Sequence, residues 1–242
     1  MEVPMVDDMR QVVIVTGAAG NLGRVVAQTF LSAGARLVLV DRAADRLLRL
    51  FPQLAESEDH ILATSVDLMN VEAVEGMVRE AIQRFGHVDV LVNAAGGWRG
   101  GTKVHDTDLD TWEFLLSLNA GTALIASKAV IPHMLEQGGG SIVNVAARAG
   151  IEGTARNGAY SAAKSAVIRL TESMAAELKK QNINVNCVLP NTIDTPQNRA
   201  DMPKADHSRW VEPEAIADVI LFLASSAARA VQGAAIPVYG KG

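Results

Sequence analysis

Several things are scarce in this chain of 242 residues, and each scarcity excludes something. It has one cysteine, Cys187, so no internal disulfide can form. Cys187 lies in the apolar run "INVNCVLP", where a small buried hydrophobe is expected. There is no excess of basic residues. The formal net charge is -5, which leaves no cationic surface for non-specific binding to nucleic acid. No apolar run approaches the roughly 20 residues of a membrane-spanning helix. "GTALIASKAVIPHM" comes nearest and is interrupted by Lys128 and Pro132. The segment "MEVPMVDDMR" is too polar and acidic for a secretory signal, so a disordered lead-in over 1–10 and a cytoplasmic location are expected. The five histidines lack metal-ligand spacing, and no metal is expected. Repeats, low-complexity tracts and polar linkers are also missing, so residues 11–242 read as one domain.

What the chain does have is a regular alternation. Val/Ile-rich runs recur at 11–17, 35–41, 60–67, 88–96, 140–147, 183–190 and 234–240. Helical patterns fall between them at about 21–33, 43–55, 70–86, 108–137, 157–180 and 213–225. Continuous apolar strands alternating with helices predict an α/β fold, with a parallel sheet covered by helices on both faces. In such sheets ligands bind beyond the carboxyl ends of the strands.

The first strand runs into "TGAAGNLG", with glycines at 17, 20 and 23. Gly17 suits a tight turn, Gly20 a close approach of backbone to a pyrophosphate, and Gly23 the packing of helix on strand. The helix N-terminus beyond them offers N–H groups to phosphates. Asp41 closes the second strand, 18 residues after Gly23. Its carboxylate can accept both ribose hydroxyls of an adenosine and repel a 2′-phosphate, which favours NAD. Arg42 could partner that phosphate, so NADP stays open, and Asp41 could instead cap the following helix. Further on, Tyr160 and Lys164 stand four apart and share a helix face.

Taken together these features resemble the short-chain dehydrogenase/reductase superfamily over about 11–240. The resemblance implies a single Rossmann-type doubly wound domain with a seven-stranded parallel sheet, NAD (or NADP) as cofactor and a small-molecule substrate. Under it Asp67 and Leu68 in "VDLMN" would meet the adenine. Asn93, Ala94 and Ala95 match the segment after the fourth strand. Asn119, Tyr160 and Lys164 match catalytic positions, and Pro190, Ile193 and Thr195 would flank the nicotinamide. It also implies a homo-oligomer, a dimer or a homotetramer, and small residues such as "AGTALIASKA" and "AYSAAKSAV" suit helix packing between subunits.

Three positions depart from the main pattern. Asn21 stands where a glycine is usual; asparagine tolerates positive φ and can cap a helix. Asn191 replaces a glycine after Pro190. Ala147 occupies the place of the catalytic serine. The dihydropteridine reductase branch shares some of these oddities. It is similar in "GGWRGG" (96–101) and in "VLPNTIDTPQNRADMPKADHSRW" (188–210), and it too has no serine at the position of Ala147. This resemblance implies an oxidoreductase that moves a hydride from the nicotinamide to a quinonoid dihydropteridine or a C=N substrate. The alternatives are a reductase of simple ketones and a non-catalytic NAD sensor.

In the leading reading Tyr160 donates the proton. Lys164 would favour the phenolate and hold the ribose, and Asn119 would hold a water between Lys164 and solvent. Trp98 would stack on a planar ring, and Ala147 and Asn191 would face substrate. Arg148, Arg156, Asn157 and His105 are further pocket candidates. Thr154 is the one plausible substitute hydroxyl, because Ser161 points about 100° from Tyr160 and Ser141 starts its strand. Residues 191–210 read as a lid, with Trp210 as its anchor.

Overall fold

A computed structural model describes residues 11–241; the expected lead-in at 1–10 lies outside them. Seven parallel strands form one sheet: β1 (Val12–Thr16), β2 (Arg36–Asp41), β3 (His60–Thr64), β4 (Val90–Asn93), β5 (Gly140–Val145), β6 (Ile183–Pro190) and β7 (Ala235–Val238). Their order is β3-β2-β1-β4-β5-β6-β7. The chain winds outward from β1 in one direction, then returns to start again at β4. The crevice between β1 and β4 is therefore the switch point where α/β sheets bind ligands.

The helices fill both faces: α1 (Gly23–Ser32), α2 (Ala44–Leu50), α3 (Val71–Phe85), α4 (Leu109–Leu116), α5 (Thr122–Gln137), α6 (Gly158–Leu178), α7 (Pro196–Asp201) and α8 (Pro213–Leu223). Strand alternation sorts the side chains. Val13, Val15, Leu37 and Leu39 pack with Phe30 of α1 and Ile216 and Ile220 of α8. Val12, Ile14, Val38 and Val40 pack with Val78 of α3, Val130 and Met134 of α5, and Leu178 of α6. Most of these side chains are fully buried, which is why the strands read as unbroken apolar runs.

Helix ends follow local chemistry. Asn70 caps α3 by accepting from the Ala73 N–H, and Gly86 ends it at φ +85. Asp108 caps α4 in the same manner. The predicted helix at 108–137 is interrupted by a π turn over Ser117–Gly121, which carries Asn119. One sequence expectation needs correction here. By length and composition, Leu109–Gln137 is a helix able to cross a membrane. Counting uninterrupted apolar runs missed this, because a helix tolerates scattered polar residues. In the fold, its Leu115, Ala123, Ala126, Val130 and Met134 are buried against the sheet and neighbouring helices.

Candidate active site

At the switch point the glycine turn is built from contacts that only glycine allows. Gly17 has φ +65, and a Cβ there would lie 2.7 Å from the Ala95 Cα. A Cβ on Gly23 would collide with the Gly17 carbonyl oxygen. The Gly20 N–H donates to that same oxygen at 2.9 Å. Leu22 takes the N-cap position of α1, and no side chain caps the helix. Arg24 and Val25 donate their N–H groups to the Gly20 and Leu22 carbonyls, and the Gly23 N–H at the head of the helix is left for another acceptor. Asn21 neither adopts positive φ nor caps α1, so both expected uses of it fail. The turn closes through Gly17 and Gly20 and asks nothing special of that position.

Asp41 ends β2 beside the turn. Its Oδ2 accepts the Ala19 N–H at 3.0 Å and its Oδ1 the Ala43 N–H at 2.9 Å. The carboxylate thus links the turn to the start of α2, whose N-cap is Ala43, and stays half-buried while Arg42 is exposed. Asp67 accepts the Met69 N–H at 2.9 Å and is exposed; Leu68 beside it is buried. Ala95 donates its N–H to Thr16 Oγ1 at 3.2 Å, and Ala94 precedes it at the end of β4. A tight backbone cradle that any Cβ would fill, an uncapped helix end and a carboxylate at the neighbouring strand end are together a fit for a dinucleotide.

Tyr160 and Lys164 lie in the first turns of α6. Lys164 is 4% exposed, and its Nζ donates to the Val145 carbonyl at 2.8 Å. The Nζ is 6.0 Å from the Tyr160 ring centroid. Burial pulls the Lys164 ammonium down to about 8, opposed by the Cys187 thiol. Burial likewise pushes the Tyr160 phenol up to about 12. The chain by itself therefore keeps Tyr160 protonated at neutral pH, where the sequence suggested a lowered phenol. The reason is geometric, since the ammonium is turned to a backbone carbonyl and desolvation dominates. Cys187, fully buried and pushed up to about 11, is a core residue as expected.

Asn119 faces Lys164 across a narrow gap occupied by Gly96. A Cβ on Gly96 would lie 2.8 Å from Asn119 Oδ1 and 3.3 Å from Lys164 Nζ. Asn119 Nδ2 donates to the Gly97 and Leu115 carbonyls, and its Oδ1 accepts the Gly97 N–H at 3.2 Å. Beneath them runs a buried polar chain. Asn93 Nδ2 donates to Ser127 Oγ and Asn144 Oδ1, and Asn144 Nδ2 donates to Thr171 Oγ1. Sequence reasoning missed Gly96, Asn144 and Thr171. The last two carry no motif, because their partners arrive from other strands and helices.

Ala147 follows β5 in extended backbone and is nearly buried, and its carbonyl accepts the Gly150 N–H. Thr154 Oγ1 accepts from Asn157 Nδ2 at 2.8 Å, which leaves its own proton available. Ser141 donates to the Leu223 carbonyl. Ser161 Oγ is buried without a partner. Trp98 is 61% exposed, and its Nε1 donates to Asn157 Oδ1 at 2.9 Å. Arg148 pairs with Glu152 and lies over the Tyr239 ring, so it is engaged away from a pocket role. His105 is exposed beside Asp106.

Pro190 ends β6 and Asn191 follows it, half-buried. Ile193 forms a bridge with Val211, and Thr195 caps α7 by accepting the Asn198 N–H. Asp194 and Arg199 form a paired fork inside the 191–210 segment. Trp210 stacks on His207 at 4.4 Å within the same segment.

A parallel sheet with this winding, a glycine cradle at its switch point, and a Tyr–Lys pair on one helix define a nucleotide-dependent oxidoreductase class. Comparison with known proteins makes this specific: residues 11–206 match the short chain dehydrogenase family, and the chain belongs to it. A relative from Thauera aromatica, the (2S)-[(R)-hydroxy(phenyl)methyl]succinyl-CoA dehydrogenase subunit BbsD, is 33% identical over 239 residues, covering 95% of each chain. An uncharacterized oxidoreductase of Staphylococcus aureus is 32% identical over 212 residues, covering 88% of this chain and 90% of its own. A crystal structure of a protein classed as a short-chain dehydrogenase/reductase, from Burkholderia xenovorans, superposes with a TM-score of 0.85 at 32% identity, covering 95% of each chain. The seven-stranded Rossmann-type fold expected from the sequence is the one found. None of these three relatives carries a dihydropteridine reductase name.

Proposed function

We propose that this oxidoreductase reduces a flat quinonoid or C=N substrate of the dihydropteridine kind, with NADH preferred over NADPH. The observation that carries the reading is Ala147, where a serine hydroxyl would be needed to steady charge on a single carbonyl oxygen. Removing one such donor typically costs on the order of 10²–10³ in rate. A conjugated ring spreads the added electrons over several heteroatoms, so it depends less on that donor. The alanine also leaves room for a bicyclic ring, and Trp98 offers an aromatic face nearby.

Gly17, Gly20, Leu22, Gly23, Asp41, Asp67, Leu68, Ala94, Ala95, Ile193 and Thr195 would hold the dinucleotide. When bound, it supplies the hydride. Tyr160, protonated at neutral pH, would give its proton to a substrate nitrogen as the hydride reaches the electron-poor atom of the conjugated system, a ring nitrogen in a quinonoid dihydropterin and the carbon in a simple C=N. Lys164, one helical turn from Tyr160 and held by the Val145 carbonyl at the end of β5, keeps positive charge near the phenol as it ionises. Gly96 leaves the space in which Asn119 and Lys164 approach each other. Asp41, with no cation paired to it among the described residues, favours ribose hydroxyls over a phosphate. We place the chain in the cytoplasm as one domain. We also propose that it works as a dimer or tetramer through the exposed apolar residues Met69, Leu124 and Trp112 on and beside the α4–α5 face.

A second reading, an ordinary alcohol dehydrogenase, has a specific observation behind it. The Thauera aromatica relative is named for the dehydrogenation of a secondary alcohol on a benzylic carbon. NADH oxidation measured with quinonoid dihydropterin and with a panel of ketones separates the two. Turnover of the dihydropterin at least tenfold faster than of any ketone is expected. Ketone turnover alone would reject the leading reading. Ala147→Ser should raise ketone turnover and leave that of the dihydropterin unchanged or lower.

A further inference from the structure

The loop after β4 is tied at its base to the π turn that carries Asn119, and at its far end to the segment that leads into the catalytic helix α6. At the base, Asn119 exchanges hydrogen bonds with both backbone groups of Gly97. At the far end, the Gly101 N–H donates to the Arg156 carbonyl at 3.0 Å, and Arg156 Nη1 donates back to the Gly101 carbonyl at 3.0 Å. Arg156 accepts φ +66 in doing so, an uncommon backbone for a non-glycine residue. Between these ties, Trp98 Nε1 donates to Asn157 Oδ1, three residues before Tyr160. The indole folds back on its own loop, where only glycine fits: a Cβ on Gly100 would lie 2.5 Å from Trp98 Cζ2 and 2.8 Å from Asn157 Oδ1.

Asn157 is itself fixed. Its Nδ2 donates to Thr154 Oγ1 at 2.8 Å, and its carbonyl accepts the Ser161 N–H at 2.8 Å in the first turn of α6. Trp98 nevertheless remains 61% exposed. A tryptophan pinned by its nitrogen, with much of its ring uncovered, differs from a loose surface residue. It has given up rotamer freedom without gaining burial, so the fixed orientation has to serve something other than the core.

We infer that Asn157 is a positioning residue that holds the Trp98 indole as a fixed wall of the substrate site, moving as one body with Tyr160, and that this wall selects flat ring substrates. The inference rests on the oxidoreductase reading above and deepens its substrate class. Selection comes from geometry. A ring laid on the indole is brought to Tyr160 at a set height, whereas a branched aliphatic ketone gains nothing from the wall. Asn157 acts through Trp98 alone, so its influence should disappear when the indole N–H is absent.

The test is steady-state kinetics on Asn157→Leu, Asn157→Asp, Trp98→Phe and the Asn157→Leu/Trp98→Phe double variant. Substrates are quinonoid dihydropterin, the bicyclic ketone 2-tetralone and the small branched ketone 3-methyl-2-butanone. Asn157→Leu should raise KM for the bicyclic substrates about tenfold and change kcat less than threefold, with KM for NADH unmoved. Asn157→Asp keeps an acceptor oxygen and should return KM to within about twofold of the parent. The double variant should be no worse than Trp98→Phe. Unchanged KM in Asn157→Leu, an equal loss on the branched ketone, or additive effects in the double variant would each overturn the inference.

If the dihydropterin is not turned over and 2-tetralone is, the function proposed above fails while this inference is still read on the ketone. A readout without turnover completes the design. In a Trp112→Phe/Trp210→Phe background only Trp98 emits. There Asn157→Leu should lower the fluorescence anisotropy of the indole, and an unchanged value would count against the pinning.

Discussion

The two halves of the sheet meet at β1 and β4, and they make their sites in different ways. The half with β1, β2 and β3 builds with backbone. Its cradle is Gly17, Gly20 and Gly23, and the Asp41 carboxylate at the end of β2 is braced by the N–H groups of Ala19 and Ala43. The half with β4, β5 and β6 builds with side chains that reach across the chain. Asn119 holds Gly97, Asn157 holds Trp98, and Asn93 reaches Asn144. A backbone site accepts a ligand whose shape is constant. A side-chain site can be retuned by single substitutions.

That contrast can be broken from either side. The largest effect is expected from Tyr160→Phe, which removes the proposed proton donor from the side-chain half. Turnover of every substrate should fall by about 10³ or more, since positioned acid catalysis is worth roughly 10²–10⁴. The affinity for NADH, measured by fluorescence titration, should change less than threefold. If NADH binding fell in parallel with turnover, the halves would not be separable. Asp41→Ala comes next and acts on the backbone half alone. It should weaken NADH binding about tenfold to thirtyfold and narrow the preference over NADPH, with kcat at saturating cofactor kept within about threefold. An unchanged NADH/NADPH ratio would remove Asp41 as the ribose contact.

The smallest effect is read in stability against pH. Lys164 is depressed to about 8 from 10.5, so between those values the unfolded chain binds a proton that the folded chain has released. Stability should rise with pH through that window. The gain is on the order of 3 kcal/mol at most. Tyr160 acts in the opposite sense above about 10, where the unfolded phenol ionises first and the folded one holds its proton to about 12. Lys164→Met should abolish the rise in urea-unfolding free energy between pH 8 and 10 and leave the descent above it. A rise that persists in the variant would assign it elsewhere.

Legibility in the sequence follows the same division. The strands, the order of helices, the glycine turn and Asp41 were readable because each is a local pattern with a fixed spacing. The π turn at Asn119 was not, since a surplus residue in a helix leaves no compositional mark. The raised phenol of Tyr160 was also hidden: proximity to Lys164 is visible in YSAAK, but the direction of the ammonium and the depth of burial are set by tertiary packing. The tie between Trp98 and Asn157 joins positions 59 apart, and nothing in either segment names the other.

Val40, Thr16, Asn93, Asn144, Cys187 and Ala235 lie opposite one another in successive strands, in a single row across six strands. Gly17, Asp41, Ala94, Val145 and Val188 stand one position beyond that row. The row is a shared floor beneath the glycine cradle and the start of the Tyr160–Lys164 helix. Neither half can loosen its floor without tilting the other's. Dinucleotide binding should then slow amide hydrogen exchange along the whole of β5 and β6 as well as in β1 and β2, so that the cofactor steadies strands it would meet only at their ends.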